Sequence, residues 1–165
     1  MRNFKIKVLK RIKKIIEGFN KKIDDMLEQL GEFNKPESLD NDQAFDSGIA
    51  YREMGLFKDA IQSFETAMKN GYSPSDCLDM IGLSFIDLGE YDKAEKIFRE
   101  GLTRKNLKEH EKLGLSFDLG LALEKQDRLE EALRFYREVK KLNPNFRDVA
   151  LIIKAIEAKL NQKIS

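Results

Sequence analysis

The feature that most constrains this chain is an internal repeat. Gly48-x-x-Tyr51, then Gly55, then Ala60-x-x-x-Phe64 returns 34 residues later as Gly82-x-x-Phe85, Gly89 and Ala94-x-x-x-Phe98. A third copy, Gly120-x-x-Leu123 with Ala132-x-x-x-Tyr136 and Pro144, follows after 38 residues, four of them inserted. A period of this size means that each unit buries its apolar face by stacking on the next. Apolar spacing near 3.6 predicts helices at 41–54, 58–70, 75–88, 92–104, 109–125 and 129–141. Gly48, Gly82 and Gly120 suit a close approach of two helices, and Ala60, Ala94 and Ala132 are small where the returning helix crosses. Gly55 and Gly89 stand where the first helix of a unit ends, a position that favours left-handed backbone. Asp127 occupies that place in the third unit.

These residues resemble the tetratricopeptide repeat, a 34-residue pair of antiparallel helices marked by W-x-x-L-G-x-x-Y, A-x-x-x-F and a proline. The resemblance covers residues 41–146, with units at 41–74, 75–108 and 113–146. The sequence departs from the pattern at Ala44, Leu78 and Ser116, where tryptophan is frequent, at Ser47 in place of leucine, and at Tyr72 and Asn106 in place of the closing proline. The resemblance implies an all-α fold: a right-handed α-solenoid of three helix hairpins. Residues 147–165 are expected to cap it, because the last unit would otherwise expose its stacking face, and Val149, Ile152, Ile153, Ile156 and Leu160 supply the apolar stripe.

In such folds the first helix of each unit lines the concave face. By resemblance, the partner-binding groove comprises Phe45, Ile49 and Arg52 in the first unit, Asp79, Leu83 and Ile86 in the second, and Phe117, Leu121 and Glu124 in the third. Six of these nine are apolar, which predicts an oily trough suited to a helical or extended segment of another protein. Members of the family that hold a terminal carboxylate do so with lysine, asparagine and arginine. Here the corresponding positions carry Phe45, Ile49, Phe117 and Leu121, so that clamp is not expected.

Charge divides the chain into two ends. Seven basic residues, from Arg2 to Lys14, precede the first acid, Glu17, and the total of 30 basic against 29 acidic residues leaves the remainder acidic by six. Residues 1–30 read as a basic amphipathic helix: Leu9, Ile12, Ile16, Phe19, Ile23, Met26 and Leu30 alternate at three and four. Gly31, Pro36 and Ser38 mark residues 31–40 as a linker. Lys5, Lys7, Lys10, Arg11, Lys13 and Lys14 would serve attachment to an anionic membrane surface or to a partner. Capping of the repeats by Ile23 to Leu30, and self-association into a homo-oligomer, are alternative uses of this segment.

Catalytic and metal-binding classes find no support. The lone Cys77 and lone His110 form no metal spacing, and no phosphate-cradling glycine loop is present. His110 reads as a solvated loop residue of the four-residue insertion. No cofactor and no nucleic acid are expected. The expected function is a non-enzymatic scaffold or adaptor in the cytoplasm or at the cytoplasmic membrane face. The alternatives are a structural homo-oligomerisation subunit and a membrane-associated assembly factor.

Overall fold

The computed structural model describes residues 40–164, together with Lys22 and Met26, which lie in helical backbone. Apart from those two residues, the amphipathic helix expected at 1–30, with its basic residues Lys5, Lys7, Lys10, Arg11, Lys13 and Lys14, falls outside the described residues. From Asp40 onward the described residues form seven α-helices and no strand: α1 (Asn41–Glu53), α2 (Phe57–Lys69), α3 (Pro74–Asp87), α4 (Tyr91–Leu102), α5 (Glu109–Lys125), α6 (Leu129–Leu142) and α7 (Val149–Ile164), with a 3-10 turn at Phe146–Asp148.

Pairing follows the repeat. α1 packs on α2, α3 on α4 and α5 on α6, while α2–α3, α4–α5 and α3–α5 contacts join one pair to the next. The glycine–aromatic spacing has a direct steric cause. A Cβ at Gly48 would meet the Phe64 ring at 2.5 Å, one at Gly82 the Phe98 ring at 2.4 Å, and one at Gly120 the Tyr136 ring at 2.9 Å. Each ring therefore lies directly on its partner helix's backbone, and Phe64, Phe98 and Tyr136 are fully buried. Within a pair the turn requires left-handed backbone, supplied by Gly55 (φ 77°) and Gly89 (φ 76°). Asp127 adopts the same conformation at φ 58°, so the third unit keeps the turn without the glycine.

α5 is buried almost all round, from Leu113 to Leu123, because α3, α4 and α6 all pack on it. Its start is fixed by Glu111, whose carboxylate accepts the backbone N–H of Lys108 at 2.6 Å and the Ser75 hydroxyl at 2.6 Å. These two bonds hold the Glu111 carboxyl below its ordinary range. α7 closes the stack by burying Val149, Ile153 and Ile156 against the last pair. Arg137–Glu157 at 2.7 Å links it to α6, and Lys159–Glu124 at 3.6 Å links it to α5.

Candidate functional site

Two clefts open between the first helices of successive units. One, of about 310 Å³, lies between α1 and α3 and is lined by Ile49, Arg52, Glu53, Phe57, Met80 and Asp87. The other, of about 280 Å³, is built by Asp76 and Asp79 of α3, His110, Glu111 and Gly114 of α5, and Phe146 and Arg147 of the turn before α7.

The residues expected in the trough divide into several environments. Ile49 and Arg52 border the first cleft, where Arg52 Nε donates to Asp87 Oδ2 at 2.8 Å and ties α1 to α3. Asp79 borders the second. Leu83 and Ile86 are half-buried against the core of the second and third units, and Leu121 is half-buried on α5. Phe45 is half-buried too, but its ring stacks on Tyr72 with centroids 4.1 Å apart and tilts against Phe64 at 5.2 Å, so it works mainly in packing. Glu124 accepts from the Tyr136 hydroxyl at 3.2 Å and faces Lys159 of α7. Burial, then the Glu124 charge, pushes the Tyr136 hydroxyl far above its ordinary range.

Phe117 requires a correction. It is 7% exposed and belongs to the core, meeting Tyr136 edge-on at 5.3 Å and Phe146 at 5.7 Å. The guanidinium of Arg147 lies over its ring at 5.3 Å and over that of Phe146 at 5.2 Å. Phe146, the last residue of the third unit, and Arg147 just after it thus cover the groove position that the repeat register exposes. The trough is not continuous and not uniformly oily: its open portions carry Arg52, Asp87, Asp76, Asp79 and Glu111 beside the apolar side chains.

His110 is also placed differently from expectation. It is exposed, as expected, but it stands in the first turn of α5, which begins at Glu109 as the apolar spacing predicts, and it borders the second cleft.

The chemistry of that cleft centres on Asp118, a residue absent from the expected set. It is 1% exposed, and Arg147 Nη1 donates to both of its carboxylate oxygens at 2.9 Å. The backbone of Arg147 is left-handed (φ 42°), as is that of Asp148 (φ 54°), a conformation unfavourable for side-chain-bearing residues and held here by this ion pair and the two rings. The Asp79 carboxyl also interacts with that of Asp118. Burial, reinforced by the Asp118 charge, pushes the Asp79 carboxyl up to about 8. Burial raises Asp118 as well, with Arg147 opposing it. Both carboxyls are therefore pushed toward the protonated form, Asp79 the more strongly because Arg147 bonds directly to Asp118.

Among the described residues, no group of three or more His, Cys, Asp or Glu side chains is arranged to hold a metal ion. Cys77 is buried, and burial pushes its thiol up to about 11.

A tetratricopeptide-repeat family model matches residues 45–106 and again 80–145, which together span more than half of the chain. The chain belongs to the tetratricopeptide-repeat family. No curated protein matches its sequence. Among solved structures, the first tetratricopeptide domain of Spaghetti (RPAP3) bound to the HSP90 peptide SRMEEVD is similar with a TM-score of 0.66 at 18% identity, over 75% of this chain and 98% of that one. The TPR2AB domain of yeast Sti1 in its pHSP90 complex gives 0.69 at 15% identity, over 74% and 48%. YrrB, a tetratricopeptide protein with an unusual peptide-binding site, gives 0.60 at 18%, over 87% and 74%. At these identities the likeness is one of fold. In this tetratricopeptide chain Arg147 and Phe146 close over Phe117.

Proposed function

We propose that this protein is a non-enzymatic interaction scaffold that holds a helical or extended segment of a partner protein along the inner helices α1, α3 and α5. The observation that carries the reading is the pair of clefts between successive inner helices, the first bordered by half-buried Ile49 beside Arg52 and Asp87 and the second by Asp76, Asp79 and Glu111, while Leu83, Ile86 and Leu121 remain half-buried on the same helices. Apolar groups left partly uncovered next to polar ones at helical spacing suit a segment that supplies both kinds of contact. The peptide complexes of Spaghetti (RPAP3) and Sti1 lend support, since folds of the same kind are bound to peptides there.

Burial of each large side chain contributes about 1.5 to 3 kcal/mol, against an association cost of about 4 to 15 kcal/mol. Four partly covered positions alone would leave affinity in a weak, reversible range, and polar contacts must add selectivity. Residues 1–30, with Lys5, Lys7, Lys10, Arg11, Lys13 and Lys14, complete the proposal as an attachment segment at a partner or at the cytoplasmic face of a membrane.

The test is capture of partners from native lysate by the full chain and by a variant carrying Ile49→Glu and Leu83→Glu. Loss of captured proteins, with helix content and melting preserved, supports the inner face as the binding surface. Unchanged capture by a folded variant rules it out.

A further inference from the structure

The acids of the inner face are matched unevenly. Asp87 has Arg52 at 2.8 Å, and Asp118 has both of its oxygens on Arg147 at 2.9 Å. Asp79, between them on α3, has no such partner: Arg147 is committed to Asp118, and among the described residues Asp79 Oδ1 is enclosed without any hydrogen bond. Asp76 stands one helical turn before Asp79 and is exposed, with no ion pair among the described residues. The cleft of about 280 Å³ opens beside both. Gly114 forms part of its opposite wall, and a Cβ there would stand 4.0 Å from Asp79 Oδ2, so the absence of a side chain keeps the approach to this carboxyl clear.

We propose that the cleft between α3 and α5 receives a lysine or arginine side chain of the bound segment, so that the partner is a cationic amphipathic peptide. This rests on the inner-face reading above and specifies which kind of segment is held. Charge complementarity carries the argument. Around the cleft stand Asp76 and Asp79 on α3 and Glu111 and Asp118 on α5, against Arg147 of the turn, with Arg52 of α1 farther off and His110 at the rim. The arginines are already paired, so an entering ammonium or guanidinium meets carboxylates, and an entering carboxylate meets like charge. An acidic tail such as SRMEEVD, the peptide bound by Spaghetti (RPAP3), is a poor match for this face.

Asp79 ties this binding to pH. Its proton is retained up to about pH 8 because burial and Asp118 disfavour a second negative charge. A cation in the cleft offsets that charge and lets the proton leave. Binding of a cationic segment is therefore accompanied by proton release near neutrality and strengthens from pH 6 to pH 9.

The experiment uses two synthetic amphipathic peptides of about 14 residues, with the same leucines at helical spacing and either lysine or glutamate at every polar position. Titration into the full chain at physiological salt is expected to show the lysine peptide binding at least tenfold more tightly, with protons released to the buffer in calorimetry. Asp79→Asn should abolish the proton release and the pH dependence, and Asp76→Asn with Asp79→Asn should weaken the lysine peptide about tenfold. Equal binding of both peptides, lost in the Ile49→Glu, Leu83→Glu variant, overturns the cationic partner and leaves the inner-face reading standing. So does lysine-peptide binding indifferent to Asp76 and Asp79. Binding of neither peptide, or binding indifferent to Leu83, overturns both.

Discussion

The ring of Phe98 occupies the space that a side chain on Gly82 would need: a Cβ there would lie 2.4 Å from Cε1 and 2.5 Å from Cζ. Phe98, on α4, is fully buried in a core that it shares with the following unit. Gly82→Ala is accordingly expected to cost about 1 to 3 kcal/mol through overpacking, even though alanine favours helix. Urea unfolding measures it. Combining Gly82→Ala with Phe98→Leu should recover part of the loss relative to the sum of the two single changes, because the same clash is removed from the other side.

Stability should depend on pH in an unusual direction. Asp79 titrates near 8 in the folded chain and near 3.9 when unfolded. Between those values the folded state binds the extra proton, so stability falls as pH rises from about 4 to 8 and levels off above that, at most by about 1.4 kcal/mol per pH unit from this group. Asp79→Asn, which keeps the shape and stays neutral, should flatten the dependence and exceed the parent in stability at pH 8. Urea midpoints at pH 5 and 8 decide the matter; a parent protein more stable at pH 8 than at pH 5 would contradict it.

Removing the arginine of the turn should be costly for a different reason. Arg147→Ala strands the Asp118 carboxyl, 1% exposed, without the guanidinium nitrogen that donates to both of its oxygens, an effect of about 2 to 4 kcal/mol. Adding Asp118→Asn to that variant should restore a measurable part, since the stranded charge is then gone. Thermal melts of the three variants provide the comparison.

Cys77 should be chemically silent in the native state. Its thiol is buried and held near 11, so thiolate is scarce at pH 8. Labelling by a thiol reagent is expected to follow unfolding and to rise with urea in step with loss of helix signal. Rapid labelling in buffer alone would contradict this placement.

The helices were legible in the sequence because glycine, alanine and aromatic residues at fixed offsets each satisfy a local steric demand. Gly48 against Phe64 and Gly82 against Phe98 set the register of whole hairpins, and the observed helix ends fall within two residues of those expected. The third unit's turn was harder to read, since Asp127 takes left-handed backbone with no glycine to announce it. The site was legible only in part. Ile49, Arg52 and Asp79 reach the clefts as the register implies, but Phe117 is covered by residues 29 and 30 positions later, a contact that no repeat offset encodes. Asp118 escaped notice for a related reason: it stands next to a groove position, and its meaning appears only when Arg147 folds back onto it. A charged residue in the middle of the apolar run Leu113 to Leu123 was the available signal, because a carboxylate is seldom tolerated there without a partner.

The turn at Phe146–Asp148 has a consequence for how such an array grows. Copying a hairpin onto its far end would require displacing α7, and it would also require releasing Arg147 from Asp118 and uncovering Phe117. A hairpin packed on α6 in place of α7 would therefore have to supply its own partner for the Asp118 carboxyl and its own cover for Phe117.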